Sequence, residues 1–227
     1  MLDKAFETLK TYDWGQDRNL LKPIDEAVVA THGDDAARKE LETRLAAVLK
    51  TDVSRDSKQF VCRKLMVIGT ASSVPTLAKL LTSEELSHMA RYALERIPAP
   101  EAGRALRVAL LMTKGELKVG VIGSLGVRDE AESVAPLAAL LSDSDASIAR
   151  AAAIALGAIR SPEAAKALAG AKPTAIVTDA SLACAEEFLA DGKKAEALAT
   201  YKRLLKEDHP KHIKLAATRG MLACAGK

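Results

Sequence analysis

An all-α fold built from stacked helix pairs is what this sequence predicts, and three observations predict it. The 227-residue chain is 48% apolar but only 3% aromatic, so its core must come mainly from Leu, Ala, Ile and Val. That suits packed helices better than a β-sandwich, which draws on aromatic and β-branched residues. Leu65, Leu94, Leu125, Leu156, Leu189 and Leu222 follow one another at intervals of 29, 31, 31, 33 and 33 residues, a spacing proper to helix-pair repeats. Proline-bearing turns recur between them, at Ser72-Ser73-Val74-Pro75, Ile97-Pro98-Ala99-Pro100, Ser133-Val134-Ala135-Pro136 and Arg160-Ser161-Pro162. Proline fits the first turn of a helix, where its missing N–H has no intrahelical partner to lose.

The elements follow in order. Phe6 and Leu9 predict a short starting helix, Thr11 to Asp17 a loop around Trp14-Gly15, and Arg18 to Thr31 a helix ending at His32-Gly33. Asp34 then caps a helix to about Lys50. Residues 1–57 read as a divergent N-terminal helical cap, and 58–227 as repeats of one continuous domain. Each leucine of the ladder sits one turn after a small or β-branched residue, namely Val61, Ala90, Val121, Ala152, Ala185 and Thr218, which lets a neighbouring helix approach closely. Second helices are expected over roughly 74–82, 99–112, 132–141, 162–170 and 193–206, with apolar positions at three and four as in Leu77, Leu80, Leu81. Lys172 to Thr178 reads as a short extended linker.

The stretch from Asp143 to Gly157, DSDASIARAAAIALG, is similar to the HEAT-repeat signature D-x-D-x-x-V-R-x-A-A-x-A-L-G. Ala149 stands where the family usually has arginine, with the basic residue displaced to Arg150. The resemblance covers about 58–227 and implies a right-handed α-α superhelix, a HEAT-like or armadillo-type solenoid of about six helix pairs, second helices lining its concave side. Residues 12–15, 86–95 and 216–220 resemble HEAT segments embedded in large multi-domain bacterial proteins. There they accompany carbohydrate-active or haem-binding modules. Residues 192–201 resemble the second helix of a tetratricopeptide unit, which is also a helix-pair repeat, so the last pair reads as tetratricopeptide-like.

Composition narrows the function classes. With 33 basic and 30 acidic residues, charge alone does not argue for nucleic acid or anionic lipid. The longest apolar run, Ala151 to Ile159, is too short to span a bilayer and the N-terminus lacks a signal-peptide stretch. The chain is therefore expected to be a soluble monomer without a membrane segment, cytoplasmic unless it is exported within a longer protein. Cys62, Cys184 and Cys224 are odd in number and far apart, which predicts packing residues, not disulfides or a metal site.

No constellation predicts catalysis, a cofactor or a metal. His32, His88, His209 and His212 precede Gly33, Met89, Pro210 and Ile213, so the His-Glu pairs of HEAT-like di-iron hydroxylases are missing. HEAT-like DNA glycosylases need aromatic residues and a carboxylate on a basic face, and the middle repeats supply only Tyr92. HEAT-like bilin lyases share the short repeats, but no chromophore pocket is legible. The glycine-rich run from Gly120 to Gly126 lacks the lysine and preceding strand of a phosphate loop and predicts close helix packing. Glu84-Glu85 and Glu186-Glu187 point apart around a helix. His88, Arg91 and Glu95 share one stripe and predict an inter-repeat hydrogen-bond network.

From Lys193 to Arg219, eight basic residues face Glu196, Glu207 and Asp208, a cationic C-terminal surface with Tyr201 as its lone aromatic, poorly suited to base stacking. The reading is thus a non-enzymatic protein-interaction or scaffold module that takes an extended protein partner on its second helices. Its candidate contacts are Lys79, Arg104, Arg107, Lys202 and Lys206. A structural spacer within a larger protein is one alternative, and polyanion or nucleic-acid binding, or a HEAT-like lyase or glycosylase, is the other.

Overall fold

The computed structural model describes residues 1–206 and 208–226, and every regular element among them is helical. They divide into two compact units, Met1–Ser124 and Leu125–Lys227.

In the first unit α1 (Leu2–Leu9) and a 3₁₀ turn (Arg18–Leu21) precede α2 (Lys22–Ala30), α3 (Asp35–Val48), α4 (Arg55–Ile68), α5 (Val74–Ala78), α6 (Ser87–Arg96) and α7 (Pro100–Met112). Helix α8 (Gly115–Arg128) begins here and ends in the second unit. The starts are chemically marked. Asp34 accepts from the Ala37 N–H and Ser54 from the Ser57 N–H, each satisfying a donor that the first turn would leave unpaired. Pro23, Pro75 and Pro100 stand in the first turns of α2, α5 and α7. First helices α4 and α6 pack on each other, as do second helices α5 and α7. Val61, Leu65, Ala90 and Leu94 are buried between them.

Two buried polar anchors tie the first unit together. Glu42 is only 1% exposed, and its carboxylate accepts from the Thr70 N–H at 2.7 Å, the Thr70 hydroxyl at 2.8 Å and the Ser73 hydroxyl. Ser57 donates to the Leu9 carbonyl at 2.6 Å and lies 2.9 Å from that of Tyr12, holding the N-terminal loop against α4.

The second unit contains α9 (Val134–Ala139) between two 3₁₀ turns, then α10 (Ala146–Ile159), α11 (Pro162–Ala169), α12 (Ala175–Ala190), α13 (Lys194–Lys206) and α14 (Lys211–Cys224). Asp145, Ser161 and Thr174 cap α10, α11 and α12 through their side chains. Helices α10 and α12 approach to backbone contact, since a Cβ added at Gly157 would lie 2.9 Å from the Ala180 Cα, and the end of α8 approaches α10 likewise, a Cβ at Gly126 lying 2.9 Å from the Ala155 Cα.

Two expectations need correction. The segment 172–178 is not an extended linker throughout, because Thr174 caps α12 and the helix is under way at Ala175. The leucine ladder holds at Leu65, Leu94, Leu125 and Leu156, all fully buried, but Leu189 is half-buried and Leu222 is 44% exposed. In α12 the buried pair is Ala185 and Phe188, and in α14 Ala217 replaces Thr218. The physical reason is bulk. Phe188 and Tyr201 fill this end, and the Tyr201 ring presses on α14 so closely that a Cβ at Gly220 would stand 2.1 Å from it. The inward faces of both helices are rotated accordingly.

Candidate functional site

The titratable groups are arranged for structure. Among the described residues no cluster of three or more His, Cys, Asp or Glu side chains could hold a metal ion, and no helix is long and apolar enough to cross a membrane. Burial pushes the Cys62 thiol up to about 12 and the Cys184 thiol to about 11, so neither is a thiolate at neutral pH. The stripe on α6 forms the expected network within the first unit. Arg91 donates to the Gly120 carbonyl at 2.8 Å and the Ser124 hydroxyl at 3.2 Å, while Ser124 donates to Glu95 at 2.6 Å. His88 Nδ1 lies 3.4 Å from the Arg91 guanidinium, and its ring leans on Tyr92 at 4.3 Å. Burial pulls the Arg91 guanidinium below its ordinary value, an effect that Glu95 opposes.

This network explains much of the glycine-rich run. A Cβ on Gly120 would lie 2.6 Å from the Arg91 guanidinium carbon, so the glycine clears room for that group, and Gly126 admits Ala155. Gly123 meets nothing; its side of α8 is open.

The predicted contact residues lie on or beside the second helices. In the first unit Lys79 follows α5, and Arg104 and Arg107 stand on α7; Lys79 and Arg104 are exposed and Arg107 is half-buried. Packing of α5 on α7 puts these three predicted residues on neighbouring elements. Arg104 and Arg107 share α7 with residues that sequence reading passed over: Val108, Leu111 and Met112, exposed by 50%, 85% and 65%. The signal was present, since Arg104, Val108 and Leu111 have i, i+4, i+7 spacing on one side of the helix, but an apolar triplet reads as core until the opposite face is seen to be filled by Ala102, Leu106 and Ala109.

In the second unit an open groove of about 530 Å³ runs between α9 and α11. Its lining is mostly small, with Ala131, Ala135, Ala138, Ala167 and Gly170, and its charges are Glu163 and Lys166. A second groove of about 280 Å³ lies between α11 and α13, lined by Ala165, Ala169, Ala199, Thr200, Glu196 and Arg203 among others. The predicted Lys202 and Lys206 are exposed on α13 but do not line either groove. Lys202 stands about 100° around the helix from Arg203. The basic C-terminal surface is partly neutralised, Lys193 pairing with Asp191 at 2.8 Å and Lys214 with Asp208 at 3.3 Å. Glu207 of that surface lies outside the described residues.

Residues 109–186 match the HEAT repeats family, a span that holds the grooved α9–α11 layer and the Asp143–Gly157 signature. That span of the chain is similar to HEAT repeats. Solved structures similar to the chain include a designed armadillo repeat protein in complex with the peptide (KR)4, at 18% identity over 98% of this chain and 99% of that one, TM-score 0.41. An engineered protein from a structural genomics consortium is similar at 20% identity over 99% of this chain and 68% of that one, TM-score 0.43. No curated protein matches the sequence.

Proposed function

We propose that this HEAT-like protein is a non-enzymatic interaction module that holds an extended protein partner on the exposed faces of its second helices. The observation that carries this reading is the groove between α9 and α11, open, about 530 Å³ in volume and floored by alanine and glycine. Small side chains let a partner backbone approach closely, while Glu163 and Lys166 supply charge and neither His nor Cys is among the lining residues. The cations Lys79, Arg104 and Arg107 are the contacts proposed for the first unit. Lys202 and Lys206 are retained as flanking contacts of the second.

The test is selection of displayed random peptides on the purified full chain at moderate salt. Enriched peptides whose binding is lost on Ala138→Arg, or on Arg104→Glu with Arg107→Glu, support the module. Absence of any enriched peptide refutes it. Binding that disappears steeply with salt and is matched by nucleic acid would favour a polyanion ligand instead.

A further inference from the structure

The outward side of α7 fits a particular partner chemistry. Its inner side is already occupied, since Ala102, Leu106, Ala109 and Leu110 are buried, so Val108, Leu111 and Met112 contribute nothing to the core as they stand. Leu111, at 85% exposure, is among the most solvent-exposed large apolar residues of the chain. Bulky aliphatic side chains held in water on a rigid helix are the kind of feature that a partner covers. The stripe is also polarised. Arg104 stands in the N-terminal half of α7 and Arg107 just past its middle, with Lys79 of the neighbouring α5 connection; Glu101 is the one carboxylate on the helix, and Leu111 and Met112 close its C-terminal end. Neither Lys79 nor Arg104 forms an ion pair among the described residues.

We infer that this face of α7 binds an acidic amphipathic helix of a partner protein, an inference that rests on the interaction-module reading above and names the partner's chemistry. Arg104 and Leu111 are seven residues apart, or about 10 Å along the axis at the helical rise. A partner helix lying along α7 meets both with a carboxylate and a Leu or Phe placed two turns apart on one face. A basic helix is repelled by Arg104 and Lys79. A nucleic-acid backbone would satisfy the cations but leave Leu111 and Met112 in water, and no aromatic side chain of α7 offers a stacking surface.

Fluorescence anisotropy of the full chain against three labelled 18-residue helical peptides decides it: one with Glu and Leu on a shared face, one with Lys in place of Glu, and one with Ser in place of Leu. The Glu/Leu peptide is expected to bind at least tenfold more tightly than the other two. Arg104→Glu and Leu111→Ser are each expected to weaken it at least tenfold without loss of helicity by circular dichroism, whereas Ile154→Ser, a change at an exposed apolar position on α10, leaves it unchanged. Equal binding of the Ser peptide reduces the contact to charge and overturns the proposal, as does equal binding of the Lys peptide or indifference to both α7 substitutions. If displayed peptides of another chemistry are enriched, or their binding falls only on Ala138→Arg, the acidic-helix assignment fails while the module stands. If nothing is enriched, both fail.

Discussion

Leu156→Ala measured against Leu222→Ala tests whether the repeat register ends where the packing says it does. Both leucines are rungs of the same sequence ladder and both lie in the second unit, yet Leu156 is fully buried and Leu222 is 44% exposed. Truncation to Ala removes three carbons, worth about 2.4 kcal/mol of transfer free energy at roughly 0.8 kcal/mol each. The void at Leu156 cannot close by helix movement, because α10 and α12 already touch at backbone level where Gly157 meets Ala180. About 24 cal/mol per Å³ over a residual void of roughly 40–80 Å³ adds about 1–2 kcal/mol. The sum, about 3–4 kcal/mol, lowers the urea midpoint by about 1–2 M at an ordinary slope of about 2 kcal/mol/M. For Leu222→Ala half of the removed surface is already in water and no void forms, so the expected loss is under about 1 kcal/mol. Urea melts followed by far-ultraviolet circular dichroism read both. A loss below about 1 kcal/mol at Leu156, or a loss at Leu222 equal to it, would refute the assignment of the buried rungs.

Three further outcomes are expected. Along α8, Gly123→Ala should stabilise by roughly 0.5–1 kcal/mol because it meets open space, while Gly126→Ala should destabilise by about 1–3 kcal/mol through its approach to Ala155, both read in thermal melts. On alkylation with iodoacetamide at pH 8, half-buried Cys224 should react first and buried Cys62 and Cys184 only on unfolding, and rapid native-state labelling of Cys62 would contradict its burial. Asp129, which sits at φ 50°, has its carboxyl pushed up by burial and by Glu187, with Arg160 opposing. A raised folded-state pKa means the native state is penalised while the group is ionised, so Asp129→Asn should raise the melting temperature at pH 7. That advantage should shrink as pH falls through the carboxyl's titration, where the native aspartic acid becomes neutral by itself; an advantage independent of pH would exclude the charge as its cause.

Much of the architecture was legible because helix-pair repeats are a local code. Periodic Leu, small residues one turn before it, Ser or Asp at caps and Pro in first turns each act within a few residues, and each repeat packs mainly on its neighbours. That is why the second helices at 99–112 and 193–206 fall within a residue or so of Pro100–Met112 and Lys194–Lys206, and why the His88–Arg91–Glu95 stripe was recognised as structural. Facing direction is a different matter. On α13, Lys202 and Arg203 are adjacent in sequence and equally basic, but only Arg203 lines a groove, because the burial of Tyr201 and Leu204 sets the rotation of that helix. Likewise Val108, Leu111 and Met112 resemble core residues until Leu106 and Ala109 are found to occupy the interior instead. Sequence by itself determined the helices, their order and their caps, since these depend on backbone sterics and on hydrogen bonds to nearby residues. Tertiary structure alone decided which side of each helix is left to a partner, since a rotation of one residue moves a side chain by about 100° and is settled by the bulk of residues thirty positions away.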